Sequence, residues 1–324
     1  MKRSLTPARY RSVTLVALVL LCVIVVTGAL VRLTDSGLGC NDWPTCNDKH
    51  FVDVGTAHSA IEQINRLFTG LVVVAVAVAV LGALVRSPRR RDLTWLSVSL
   101  VVGVLGQAVV GGVVVKTHLN PVAVQQHFLL SMVIVAAAMV LHHRAGMTDG
   151  AASARVVDRR AAQMMWAVAA GTAVAIVTGT IVTGTGPHSG SVDGTPVRRF
   201  GLHISDVARL HSGVVLLTIA MALLLLWRVR NTATRAVIEQ ALGTWIGFAL
   251  AQGLIGYTQY FSGIPVFLVA IHVSFATALW LAAVNVVLTT RQSNREASNS
   301  SPPYDNVSST VVSPEAVPSN TTTA

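Results

Sequence analysis

Three histidines lie a few residues inside long apolar segments of this chain, where an ionisable side chain is costly and usually functional. They are His127, His211 and His272. A single histidine at such a position is as often an inter-helix hydrogen-bonding group as a ligand, but three at matching depth favour a metal or cofactor. Paired imidazoles suit axial ligation of a haem iron, whereas zinc would require further ligands that the second half of the chain lacks at that depth. The pattern therefore favours haem, bound by histidines on helices predicted to be parallel neighbours.

A polar stripe precedes these histidines in the second apolar segment. His58, Glu62 and Asn65 are spaced i, i+4 and i+7, so they share one face of a helix. Glu62 has the chemistry of a proton donor or acceptor. Its spacing from Arg66 equally favours a structural ion pair. Both interpretations of Glu62 stay open.

Two arginines lie close to these polar positions along the chain. Arg209 precedes His211 by two residues, and Arg66 follows Asn65 directly. A guanidinium at the edge of a haem could pair with a propionate. Snorkelling towards lipid headgroups is an equally good explanation.

Cys40 and Cys46 flank five residues in the loop between the first two apolar segments. If this loop faces outward, it lies where disulfides can form. The pair is predicted to form a bond at least transiently, as a local brace or a redox-active pair, with two free thiols as the alternative. Cys22 lies within the first apolar segment and is interpreted as a packing residue.

The composition of the chain is that of a membrane protein. Hydrophobic residues make up 52% and charged residues 12% of the 324 residues, and the mean hydropathy is +0.62. A bilayer-spanning helix needs about 20 apolar residues. We predict an all-α integral membrane protein with eight transmembrane helices in two four-helix bundles. The predicted helices cover residues 13–33, 57–86, 93–115, 122–142, 162–184, 206–228, 237–260 and 264–289.

The basic residues set the predicted orientation. The net charge of +10 comes from short clusters between apolar segments, which is typical of topology signals and not of a nucleic-acid surface. The excess lies on the side of the two termini, so both termini are predicted to be cytoplasmic in a multi-pass cell-membrane protein in contact with lipid. The first apolar segment is interpreted as a retained span and not as a signal peptide.

The two halves of the chain repeat one another. Gln107 and Gln252 are 145 residues apart (252 − 107), and so are His127 and His272 (272 − 127). By nearly the same offset, Asn65 occupies the place of His211 (211 − 65 = 146). This predicts repeats over residues 1–150 and 151–290, related by an axis along the membrane normal. The Ser-, Thr- and Pro-rich remainder, 291–324, is predicted to be a disordered cytoplasmic tail.

Several of these stretches resemble the heme A synthase family over roughly residues 10–290. They are the stretch from Gly28 to Cys40, Asp42-Trp43-Pro44 with Cys46, Glu62 to Arg66, and the three histidines. The resemblance implies that His211 and His272 hold a haem b cofactor, while His127 helps to hold a haem O substrate. It implies that Glu62 is catalytic, and that Cys40 and Cys46 match an outward cysteine pair.

The implied reaction oxidises a methyl group of haem O to the formyl group of haem A through two hydroxylations. A haem O synthase and the assembly of cytochrome oxidase would be its partners. One position departs from the family, because Asn65 stands where members commonly have a histidine. His127 alone could hold the substrate iron, His58 could bind it with a shifted haem, or the protein is a divergent variant.

Two other functions compete with this one. The first is a haem-binding electron-transfer or haem-handling protein without catalysis, which Asn65 slightly favours. The second is a transporter with parallel repeats, which fits less well because the polar residues cluster at the outer edge and not at the midplane.

Overall fold

The computed structural model describes residues 4–150, 153–191, 196–232 and 235–293. All eight predicted helices are present in this part of the chain, most with ends within a few residues of those expected. They are α1 (Pro7–Leu33), α2 (Ala57–Val85), α3 (Arg91–Lys116), α4 (Pro121–Gly146), α5 (Arg159–Thr185), α6 (Ile204–Val229), α7 (Arg235–Phe261) and α8 (Val266–Leu288).

Local sequence explains where several helices begin. The side chain of Thr6 caps α1 and that of Asn120 caps α4, each followed by proline at the first helical position. Proline suits that position because its fixed φ is helical and its missing N–H would have no partner there. At α2, Thr56 and Ser59 bond to each other's backbone in a capping box, which fixes the start of the helix that carries Glu62.

Seven of the eight helices are long and apolar enough to cross a membrane. The remaining helix, α7, has 27 residues but is not among the seven that length and composition identify as possible membrane spans. Large apolar side chains are exposed along the outer faces of the helices, which is the surface expected towards lipid. Examples are Leu71, Leu81, Leu216, Leu217 and Leu254.

The helix contacts correct one prediction about the site. In each half, consecutive helices pack together and the first packs against the fourth, as α1 does against α4 and α5 against α8. Within the described residues, α6 and α8 have no comparable contact, so they lie diagonally opposite and are not the neighbours we predicted. The helices α2 and α4 are diagonal in the same way, because four helices closing in a ring leave two opposite pairs.

Each half has its own apolar core. The core of α1–α4 includes Tyr10, Leu93 and Leu141, and the core of α5–α8 includes Met165 and Trp245. These contacts do not test whether the halves are two bundles related by an axis along the membrane normal. That arrangement stays a prediction.

The halves are joined mainly through α4 and α8. The Trp280 indole donates a hydrogen bond to the Met132 carbonyl at 2.8 Å, and the Gln125 amide donates to the Thr180 hydroxyl at 2.7 Å. The loops at the same end as the histidines are also bonded, since the Gly37 N–H donates to the Gly190 carbonyl at 2.9 Å. The two halves are therefore held together both within the helices and at the loops.

A short antiparallel ladder at the opposite end was not predicted. Strand β1 (Ser153–Arg155) pairs with β2 (Arg291–Ser293), so the first three residues of the expected disordered tail have backbone partners. The end of α8 lies beside the α4–α5 connection, where the Val156 N–H also donates to the Thr290 carbonyl. The rest of the tail, from residue 294 onward, lies outside the described residues.

Candidate functional site

A glutamine on one helix holds the backbone of a histidine on the next, and this arrangement occurs twice. The Gln107 amide on α3 donates to the His127 carbonyl on α4 at 3.0 Å. The Gln252 amide on α7 donates to the His272 carbonyl on α8 at 2.9 Å. The 145-residue offset therefore reflects one local structure that occurs in both halves. The hydrogen bond fixes α4 against α3, and α8 against α7, at the position of the histidine.

A glycine one turn after each glutamine leaves room for the imidazole. A Cβ atom on Gly111 would lie 3.3 Å from Cε1 of His127, and one on Gly256 would lie 3.1 Å from Cε1 of His272. Both separations are tighter than ordinary carbon contacts. The glycines thus let each ring lie flat against the neighbouring helix, a role that we did not predict from the sequence.

We predict that Gly256→Val displaces the His272 ring, because valine would place methyl groups where the ring lies. The expected result is a changed absorption spectrum of any haem bound through His272. The matched control is Gly253→Val on the same helix, where a new Cβ would meet no atom within 4 Å. An unchanged spectrum in Gly256→Val, or an equal change in both variants, would contradict this role.

His211 is oriented from α5. Its Nδ1 lies 3.1 Å from the Thr178 hydroxyl, and a Cβ on Gly179 would lie 3.2 Å from its Cε1. A hydrogen bond at one ring nitrogen fixes the orientation of the other, which is how proteins commonly position a metal-binding imidazole.

These histidines fit a haem better than the other groups considered. Nδ1 of His127 and Nδ1 of His272 are buried without a hydrogen-bond partner among the described residues. No cluster of three or more His, Cys, Asp or Glu residues that could hold a metal ion occurs in the described ranges. Axial ligation of a haem iron needs only two side chains, a number that His211 on α6 and His272 on α8 could provide.

Glu62 lies beneath the cysteine loop, which we define as residues 40–46. Its side chain is only 8% exposed. The Cys40 N–H donates to Oε2 at 2.8 Å, and Arg66 donates to Oε1 at 3.1 Å from Nε and at 2.6 Å from a terminal nitrogen. The ion pair predicted from the i, i+4 spacing is therefore present. A carboxylate held this way has a fixed position, which is equally a requirement for proton transfer.

The cysteine loop is bonded to two helices of the first half, α2 and α3. Arg66 on α2 donates to the carbonyls of Asp42 and Thr45, both at 3.1 Å. Asp42 forms an ion pair with Lys116 at the end of α3, and Trp43 packs against Gly112. The Lys116 ammonium, followed by the Trp43 N–H, holds the pKa of Asp42 below its usual range, so Asp42 is ionised at neutral pH.

The cysteine loop is closed by a disulfide. Cys40 and Cys46 are bonded to each other and fully buried, which excludes the alternative of two free thiols in this structure. His58 lies beside the loop, with Nδ1 3.0 Å from the Ser36 hydroxyl. His58 is therefore engaged at the first turn of α2 and not at the depth of Asn65.

We predict that Cys40→Ser with Cys46→Ser lowers stability by about 2 kcal/mol, as chain-entropy arguments give for a ring this small. Thermal unfolding of the detergent-solubilised protein would measure the change, and Cys22→Ser is the matched control because Cys22 is free and half-buried. If the double variant unfolded at the same temperature as the wild type, the disulfide would not brace the loop.

The structure does not bring every predicted residue into the site. Arg209 forms an ion pair with Asp206 at 3.1 Å, and its side chain is 78% exposed. Arg66 is committed to Glu62 and the cysteine loop. The Asn65 amide oxygen is buried without a partner. A propionate contact by either arginine and a substrate contact by Asn65 stay predictions.

Fold and site together define a class of protein: an all-helical membrane protein whose buried histidines recur in paired positions. Residues 11–188 match the COX15-CtaA family, described as cytochrome oxidase assembly protein. That match covers more than half of the chain, so the chain belongs to the COX15-CtaA family.

Individual relatives give the same picture. The heme A synthase of Listeria monocytogenes is 25% identical over 281 residues, which covers 82% of this chain and 90% of the relative. That of Listeria welshimeri is 26% identical over the same shares. That of Bacillus pumilus is 31% identical over 133 residues, which covers 40% of this chain and 43% of the relative.

Proposed function

We propose that this chain is a heme A synthase, an oxidoreductase that converts a methyl group of haem O into the formyl group of haem A. The observation that carries the proposal is the doubled glutamine–histidine–glycine arrangement in a chain similar to heme A synthases over 82% of its length. The arrangement occurs once in each half, so one half would hold a resident cofactor and the other a substrate.

The second half would hold haem b. His211 and His272 would hold it, with Thr178 orienting His211 and Gln252 fixing the backbone of His272. When bound, haem b supplies one-electron transfer. The two halves would then be two four-helix bundles, with α7 as the eighth spanning helix and an axis along the membrane normal between them.

The first half would hold haem O, with His127 as a ligand of the substrate iron. Converting methyl to formyl with oxygen from water releases four protons and four electrons: two hydroxylations take up two water molecules, and the resulting hydrated aldehyde loses one. The electrons would pass one at a time to a one-electron acceptor outside the chain. Protons must leave the reacting carbon as it is oxidised. Glu62 is the carboxylate fixed on α2 in this half, held by Cys40 at one oxygen and by Arg66 at the other. It would accept or relay those protons at its carboxylate oxygens.

The same proposal places the protein in the cell membrane. Both termini would be cytoplasmic, because basic residues are concentrated at that end. The cysteine loop and the three histidines would then lie towards the outer face, where a disulfide persists. A haem O synthase would supply the substrate, and cytochrome oxidase assembly would consume the product.

Haem extraction tests the proposal. The chain would be produced in cells that make haem O and lack any other source of haem A, and the extracted pigments would be identified by mass. Haem A or its hydroxylated intermediate is the expected product. Haem b and unmodified haem O as the extracted pigments, with neither haem A nor its hydroxylated intermediate, would instead identify a haem-binding protein without this activity.

A further inference from the structure

Asn65 makes the two halves unequal at one buried position. In the second half, His211 and His272 lie on the diagonal helices α6 and α8. In the first half, the same positions on α2 and α4 hold Asn65 and His127. An asparagine amide oxygen is a far weaker ligand for ferrous iron than an imidazole nitrogen, which is the usual haem ligand.

The surroundings of Asn65 also differ from those of His211. A Cβ on Gly179 would meet the His211 ring at 3.2 Å, whereas a Cβ on the equivalent Gly28 would meet nothing within 4 Å. Thr178 bonds to the His211 ring, but the equivalent Thr27 hydroxyl donates only to its own helix, to the Ile24 carbonyl at 3.3 Å. The glycine and the threonine hydroxyl that position an imidazole in the second half thus contact no imidazole in the first.

Other side chains of the described first half do not replace the absent imidazole. His58 is bonded to Ser36 two turns of helix nearer the loops, and His50 and His118 are exposed in loops. The cysteines of the loop are joined in the disulfide. The Asn65 amide oxygen itself is buried and has no partner.

We infer that the first-half site holds its haem through His127 alone and leaves the iron position facing Asn65 open to small exogenous ligands. This inference rests on the proposed function, because it concerns the haem bound at the proposed substrate site. The second-half haem, held from both sides by His211 and His272, is closed to the same ligands. One protein would therefore contain one ligand-accepting and one ligand-excluding haem.

Carbon monoxide binding separates the two sites without measuring catalysis. The purified protein would be loaded with iron protoporphyrin IX to two haems per chain, reduced, and titrated with carbon monoxide. We expect about one carbon monoxide for every two haems, since an iron with two strong axial ligands has no free position. Asn65→His should abolish binding, and Asn65→Ala should retain it.

The mirror variant His211→Asn copies the first-half arrangement into the second half. With enough added iron protoporphyrin IX to fill the weakened second-half site as well, this variant should bind about two carbon monoxide molecules per chain. Absence of carbon monoxide binding in the wild type loaded with two haems, or binding unaffected by Asn65→His, would overturn the inference and leave the proposed function standing. A haem content that cannot exceed one per chain and does not change in His127→Ala would instead remove the first-half site, and with it the proposed function.

Discussion

His272→Ala is expected to remove most of the haem b from the purified protein. Removing a residue that hydrogen-bonds to a metal ligand commonly weakens metal binding by about 10–100-fold. Removing the ligand itself should weaken haem binding at least as much. His211→Ala should have the same effect, because either change leaves one imidazole to hold the iron. Haem content per chain and the intensity of the Soret band would measure the loss.

Thr178→Val gives that experiment a graded control. Valine has nearly the shape of threonine but removes the hydroxyl that bonds to Nδ1 of His211. Binding should weaken less than in His211→Ala, since the ligand remains while its orientation is released. A full Soret band in the double variant His211→Ala with His272→Ala would show that haem is held elsewhere.

Glu62→Gln is expected to abolish haem A formation while leaving the haem b spectrum intact. Glutamine keeps the size of the side chain and can still accept the Cys40 N–H bond, but it cannot take up a proton. Loss of a general acid–base group typically slows a reaction by about 10²–10⁴-fold. The haem A to haem O ratio in extracts would measure the effect.

Glu239→Gln is the matched control for that substitution. Glu239 also pairs with an arginine four residues away, Arg235. Unlike Glu62, it is more than half exposed, and it lies near the start of α7. It should not change haem A formation. A Glu62→Gln variant that lost haem b and thermal stability in proportion to haem A would assign Glu62 a structural role only.

Helix number and the pairing of Glu62 with Arg66 could be predicted from the sequence because they depend on local patterns. Apolar length predicted all eight helices, and the i, i+4 spacing predicted the Glu62–Arg66 pair that the structure contains. The repeat offset identified Gln107 and Gln252, but their bonds to histidine carbonyls depend on which helices pack together. Periodicity along one helix carries no information about its neighbour.

The diagonal placement of α6 and α8 was missed for the same reason. Loop lengths and topology do not distinguish a ring of four helices from other packings in which α6 and α8 touch. The partners of Arg66 in the cysteine loop could not be predicted from the sequence either, because they are backbone carbonyls, which every residue type possesses. Tertiary contact, and not side-chain chemistry, selects them.

The disulfide ring over the first half has a consequence for how the protein is made. Cys40 and Cys46 close a covalent ring that is bonded to α2 and α3, and the second half contains no cysteine. Such a ring can close only after the loop has reached an oxidising compartment. With the proposed orientation, the second half would complete its packing once its helices are inserted, whereas maturation of the first half would wait for export and oxidation of the loop.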